Sequence, residues 1–164
     1  MTVKLLFVCL GNICRSPAAE GIMNHFIQAA GLENQIVCDS AGTSAYHINE
    51  PPDPRMTAAA RSQGIRLEGR GRKFEATDFE HFDLILAMDR DNYHTLLARD
   101  PAGTYHHKVQ LMCDFCQHHS LTEVPDPYYG GPDGFNAVID LLQDACSGLL
   151  NHVTQDLLSA NRPQ

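Results

Sequence analysis

The chain has 164 residues, 43% hydrophobic and 20% charged, values that fit a single domain over residues 1–164 with a full core. Twenty acidic against twelve basic residues leave a formal charge of −8, so the basic face that nucleic acid requires is not expected. No apolar run approaches the ~20 residues of a membrane span, and Val3 to Val8 is too short for a signal core, so a cytoplasmic chain without a membrane partner is the expectation.

The apolar, partly β-branched run Val3 to Val8 predicts a strand. A polar loop follows from Cys9, through Leu10, Gly11, Asn12, Ile13 and Cys14, to Arg15 and Ser16. A helix then begins, with Ser16 as N-cap or first-turn residue and Pro17 in the first turn. Ala19, Ile22, Met23, Phe26, Ile27 and Ala30 recur at helical spacing, and Gly31 stops them. A thiol opens the loop and a guanidinium closes it, five residues apart. Successive N–H groups in such a loop can turn inward as an anion nest, and the helix N-terminus adds unpaired N–H groups and a positive dipole end. Arg15 offers a planar fork that matches two phosphate oxygens. The same field favours thiolate at Cys9, with Cys14 in the same loop. This suits phosphoryl transfer through a covalent cysteinyl-phosphate.

Ile36 to Cys38 reads as a second strand, and Asp39 to Thr43 as the loop at its C-terminal end. Tyr46 precedes a stiff proline loop and is taken to wall a pocket. Asp53 and Pro54 form an N-cap and first-position pair for a helix over Arg55 to Ser62 that ends at Gly64. The segment Leu67 to Lys73 carries Arg70, Arg72 and Lys73 and reads as a solvated loop. Asp78 and Phe79 begin a short turn. Leu84 to Met88 reads as a fully buried strand, and Asp89 as the cap of a helix with Tyr93, Leu96 and Leu97 inward. Val109 to Met112 reads as a fourth strand.

Cys113 and Cys116 with His118 and His119 have the wrong spacing for a classical zinc site, so no metal is assigned. The six cysteines are irregularly spaced and are read as free thiols in a reducing compartment. Pro125 and Pro127 hold Asp126 in an extended loop beside Tyr128 and Tyr129, where it could act as a general acid. A long amphipathic helix runs from Phe135 to Leu150. Gly148 is expected to loosen it, and positions after about Leu158 to fray. Alternating strands and helices predict an α/β fold with a mostly parallel sheet.

Cys9 to Pro17, together with Asp126-Pro127-Tyr128-Tyr129, resembles the low-molecular-weight protein tyrosine phosphatases of bacterial type. The likeness runs from about Lys4 to Leu150 and includes Asp39 to Thr43, Pro52 to Arg55 and Ala87 to Asp89. It implies a four-stranded parallel sheet of order 2-1-3-4 with helices on both faces. It implies Cys9 as nucleophile, Arg15 as phosphate clamp, and Asp126 as the acid for the leaving phenolate and then the base for water. Asn12, helped by Ser40, would brace a strained loop, and Ser16 would donate to the Cys9 thiolate. Tyr46, Tyr128 and Tyr129 would wall the pocket, with Leu10 at its floor or rim, and Gly11 and Ile13 would belong to the phosphate loop. Cys14 would trap Cys9 as a disulfide under oxidation. The substrate would be a phosphotyrosine protein or a small aryl phosphate, turned over by a monomer without a cofactor.

Two departures stand out. Gly69 replaces a histidine that many members carry, which weakens carry-over of the hydrogen bonds behind the loop. Asn49 replaces a common glycine, which leaves the shape of the pocket wall open. Two rivals remain. An arsenate reductase of the same fold needs resolving cysteines, and Phe82 to Asp89 contains none. A non-catalytic phosphotyrosine-binding module would need neither Cys9 nor Asp126.

Overall fold

The computed structural model describes residues 2–158. Strands β1 (Val3–Cys9), β2 (Ile36–Gly42), β3 (Leu84–Ala87) and β4 (Val109–Leu111) form one all-parallel sheet in the order 2-1-3-4. Between and after them lie α1 (Arg15–Ala29), α2 (Pro54–Arg61), α3 (Asp78–His81), α4 (Arg90–Ala98) and α5 (Pro132–His152), which passes into a π-helical turn at Val153–Leu158. Positions beyond Leu158, expected to fray, lie outside the described residues.

β1 is central, paired with β2 on one side and β3 on the other. Val3, Leu5, Phe7 and Cys9 pack into one core layer with α1, α2 and α5, while Leu6 and Val8 pack into a second layer with Phe79 and Leu96. Both faces are covered, which explains an apolar run without alternation. Parallel pairing brings every strand's C-terminal end to one edge, and the loops gather there.

Local chemistry sets the helix ends. Asp53 caps α2 by accepting from the N–H of Arg55, with Pro54 in the first turn. Asp89 caps α4 by accepting from the N–H of Asn92. Gly31 and Gly64 take positive φ just beyond α1 and α2, where a side chain would be strained.

Three expectations need correction. β2 does not stop at Cys38: Asp39 to Gly42 stay in register with Leu6 to Cys9. The polar residues there looked like a loop, but they serve the site at the sheet edge. Gly148 does not loosen α5, because a Cβ there would collide with the Phe115 carbonyl; glycine permits that close approach. The basic segment after α2 is not a free solvated loop. The Arg72 guanidinium pairs with Asp39 at 3.0 Å and with Asp78 at 3.0 Å, and these carboxylates outweigh burial to raise its pKa. The ends of β3, β4 and α5 differ from the sequence reading by one to three residues, within ordinary fraying.

Cys113 sits in a 3-10 turn with Cys116 at its end. The N–H groups of Gln117, His118 and His119 all donate to Asp144 on α5. Among the described residues no group of three or more His, Cys, Asp or Glu could hold a metal ion.

Candidate active site

Cys9 ends β1, Arg15 opens α1, and the residues between them fold into a tight loop. Its carbonyls are drawn outward by neighbouring segments. Cys9 O accepts from Thr43 N at 2.9 Å, Leu10 O from Ser44 N at 2.9 Å, and Ile13 O from Asp53 N at 2.8 Å. In a trans peptide the N–H opposes the C=O. The N–H groups of Leu10, Gly11 and Cys14 therefore point into the loop, and those of Gly11 and Cys14 have no protein acceptor among the described residues. Together with the N-terminus of α1 they form a nest for an anion.

Asn12 makes the turn possible. Its φ of 57° is left-handed, a region where asparagine is among the better-tolerated non-glycine residues. Its side chain is used completely: Oδ1 accepts from Arg72 N at 3.0 Å, and Nδ2 donates to Ser16 Oγ at 2.8 Å and Ser40 Oγ at 3.0 Å. Its own N–H points at Cys9 Sγ, 3.3 Å away, and Ser16 Oγ lies 3.0 Å from the same sulfur. Both groups can donate to a negative sulfur. Asn12, Ser16 and Ser40 are buried behind the loop rather than lining the cavity, so the first two support the substrate site instead of forming its wall.

Arg15 is 3% exposed. Nη1 donates to Asp89 Oδ2 at 2.6 Å and to Val124 O at 3.0 Å, and Nη2 lies 3.7 Å from Asp126 Oδ2. Burial would lower its pKa, but Cys9, Asp89 and Asp126 outweigh it and hold the guanidinium charged. Cys14 differs from the expectation of a shared thiolate field. Burial, with Asp53 and Cys9 adding to it, pushes its thiol up to about 12.

In front of the loop is a cavity of about 470 Å³. Cys9, Gly11, Ile13, Cys14 and Arg15 line its base, and Leu10, Ser44, Tyr46, His47, Asp126, Tyr128 and Tyr129 its walls and rim. Leu10 is half exposed, at the rim rather than the floor. Tyr46 and Tyr129 stand out into solvent, while Tyr128 packs against the core. Asp126 accepts from Tyr128 N at 3.1 Å, and its side chain is 40% exposed.

Sequence reasoning missed four contributors. Asp89 was read as a helix cap only, yet its second oxygen holds Arg15. The usable signal was its place just past β3, next to the end of β1. Arg55 pairs with Asp53 at 2.9 Å, donates to Tyr128 O at 3.0 Å, and lies over the rings of Tyr128 and Phe135. Arg72 fixes Asn12 through its backbone N–H. His47 pairs with Glu50 and faces Tyr128. Asn49 adopts a φ of 67°, which accounts for glycine as its common alternative.

A parallel α/β sheet whose C-terminal edge carries a thiol, an anion nest, a buried guanidinium and a carboxylate is the framework of a thiol-based phosphatase. The model of the low molecular weight phosphotyrosine protein phosphatases matches residues 4–159. A Synechocystis chain named as a low molecular weight protein-tyrosine-phosphatase is 60% identical over 157 residues, covering 96% of this chain and 100% of its own. The crystal structure of a protein tyrosine phosphatase from Entamoeba histolytica, with Hepes in its active site, superposes with a TM-score of 0.91 at 49% identity, covering 94% of this chain and 98% of its own. A Drosophila arginine phosphatase superposes with a TM-score of 0.87 at 32% identity over 94% and 99% of the two chains. The chain belongs to the low molecular weight protein-tyrosine-phosphatase family and is a hydrolase. No helix among the described residues is long and apolar enough to cross a membrane.

Proposed function

We propose that the chain hydrolyses phosphotyrosine and related aryl phosphates through a cysteinyl-phosphate on Cys9. The observation that carries this reading is Cys9 Sγ at the base of an anion nest, inside a cavity walled by Tyr46, Tyr128 and Tyr129 with Asp126 at its edge. The phosphoryl group sits on the inward N–H groups and Arg15. The thiolate attacks phosphorus, the aryl C–O oxygen leaves, and Asp126 gives it a proton. Water then attacks phosphorus while losing a proton to Asp126, the S–P bond breaks, and phosphate and the Cys9 thiolate are released. No metal takes part in these steps. The partner is a phosphotyrosine-bearing protein or a small aryl phosphate.

The likeness to an arginine phosphatase makes phosphoarginine the rival substrate. A guanidinium leaving group calls for carboxylates around it. Here Leu10, Ile13 and the tyrosines supply the apolar and aromatic lining, with Asp126 alone contributing a carboxylate, which favours an aryl ring. As for the arsenate reductase, the cysteines at the cavity are Cys9 and Cys14 alone, and burial pushes the latter's thiol up to about 12.

The test is acid quench of the protein with a ³²P-labelled aryl phosphate, followed by peptide mapping. Label on Cys9, with phosphotyrosine turned over faster than phosphoarginine, is the expected result. Turnover without label on Cys9, or faster release from phosphoarginine, refutes the proposal.

A further inference from the structure

Cys113 and Cys116 lie away from the catalytic cavity, and the chain itself brings them together. The N–H of Cys116 donates to the Cys113 carbonyl at 3.1 Å, closing the 3-10 turn Met112–Phe115. A turn closed in this way holds its first and fourth Cα atoms within about 7 Å, and a disulfide needs them about 4.4–6.8 Å apart. The thiols themselves meet, with the Cys113 thiol donating to the Cys116 sulfur.

The turn is held firmly against α5. Just past Cys116, the N–H groups of Gln117, His118 and His119 all donate to Asp144. Before it, the Phe115 carbonyl lies against Gly148, and the Phe115 ring meets His152. Little chain therefore has to be ordered to join the two sulfurs. Access to them is unequal. Cys113 is 7% exposed and belongs to the core, whereas Cys116 is partly open to solvent. Cys146, the neighbouring thiol on α5, is fully buried and donates to the Ala19 carbonyl.

We propose that Cys113 and Cys116 form a dithiol–disulfide site whose oxidant is a small-molecule disulfide, with Cys116 as the entry thiol and Cys113 as the resolving one. Cys116 gives its proton to solvent, and its thiolate attacks one sulfur of the small disulfide. That S–S bond breaks and one small thiolate leaves. Cys113, deprotonated in turn, attacks the Cys116 sulfur, the mixed S–S bond breaks, and the second small thiolate leaves. Two protein thiols become one disulfide, one small disulfide becomes two thiols, and the two protons end on them. Burial is the largest influence on both protein thiols: it pushes Cys113 up to about 12 and raises Cys116, to which Asp144 adds. Attack therefore waits for a scarce thiolate, and a bridge between two such basic thiols resists reduction because neither leaves easily. None of this depends on the role of Cys9.

The experiment incubates the Cys9→Ser chain, in which no Cys9–Cys14 link can form, with oxidised glutathione at alkaline pH. It runs for hours, the scale of uncatalysed disulfide exchange, and the cysteines are then alkylated and mapped by mass spectrometry. The expected result is a peptide in which Cys113 and Cys116 are joined, two hydrogens lighter, and restored to the dithiol by dithiothreitol. Adding Cys113→Ala should arrest the reaction at the mixed disulfide, with glutathione held on Cys116. Adding Cys116→Ala instead should leave Cys113 without glutathione, because the buried sulfur has lost its entry thiol. Recovery of Cys113 and Cys116 as unlinked thiols, or a bridge from Cys116 to Cys146 or Cys38, overturns the proposal. So does glutathione on Cys113 in the Cys116→Ala chain to the same extent as on Cys116 in the Cys113→Ala chain. The first arm keeps both cysteines, so it decides the bridge even where a core substitution at Cys113 prevents folding.

Discussion

The two loops that meet over the cavity are built in opposite ways. The phosphate loop is fixed from behind: its carbonyls are held by Thr43, Ser44 and Asp53, and its asparagine side chain makes three hydrogen bonds. The acid loop is held from the side: Asp126 is exposed, accepts one N–H from Tyr128, and depends on Arg55 lying over the Tyr128 ring. The anion site is therefore preorganised, and the proposed proton donor sits on an adjustable arm. Electrostatic stabilisation gains from groups that do not reorganise during reaction. A donor that must serve leaving groups of different size, and then water, gains from some freedom.

The comparison predicts different kinds of failure on the two sides. The largest effect should come from Cys9→Ser, with turnover lost while vanadate binding, measured by calorimetry, persists, because the nest and Arg15 are intact. Loss of both together would mean that the sulfur helps hold the loop.

Next is Asp126→Ala. General acid catalysis contributes about 10²–10⁴-fold, so phosphotyrosine turnover should fall by that factor. Nitrophenyl phosphate should lose much less, because its leaving group needs no proton. An equal loss on both substrates would reduce Asp126 to a turn residue.

Arg55→Met should copy the Asp126 effect in weaker form, up to about 10²-fold on phosphotyrosine, the cost of a catalytic group misplaced by about 1 Å. Vanadate affinity should stay near wild type. A matching fall in vanadate affinity would place Arg55 on the phosphate-loop side of the comparison, acting through Asp53.

The smallest effect concerns stability. Glu20 is raised from 4.5 to about 7 in the folded chain. A raised carboxyl contributes stability that is complete below the unfolded value and lost as pH climbs through the folded one. Glu20 therefore costs the wild type up to about 3 kcal/mol between pH 4.5 and 7, at 1.36 kcal/mol per unit. Glu20→Gln should escape that loss, so its advantage in urea melts should be larger at pH 8 than at pH 5. An equal difference at both pH values would mean that Glu20 ionises as freely folded as unfolded.

The parallel sheet was readable because apolar strands alternate with helices, whereas its order came only with the family resemblance carried by the motif at Cys9. That Cys9, Arg15, Asp126 and the tyrosines gather at one cavity was readable too, each marked by proline, glycine or spacing nearby. The bracing groups were harder to read. Arg72 acts on Asn12 through a backbone N–H sixty positions away, which no side-chain pattern encodes. Asp89 and Arg55 each do two jobs, and only the local one, capping or starting a helix, leaves a trace in the sequence. Asp39 and Ser40 were misassigned to a loop for the same reason: polar residues in a strand carry meaning only when the edge they serve is known.

The hydrogen bond from Arg15 to the Val124 carbonyl spans 109 positions, which bears on the order of assembly. Synthesis delivers Cys9 and Arg15 among the first fifteen residues, but the loop that carries Asp126 more than a hundred residues later, and α5, which packs on α1, later still. Contacts this distant close slowly, because the intervening chain must first be ordered. A ribosome-bound chain that ends before Asp126 would thus carry an anion loop with a thiol and no proposed proton donor. Full activity toward phosphotyrosine becomes a property of the finished chain, and an assay during translation would see it switch on after α5 emerges.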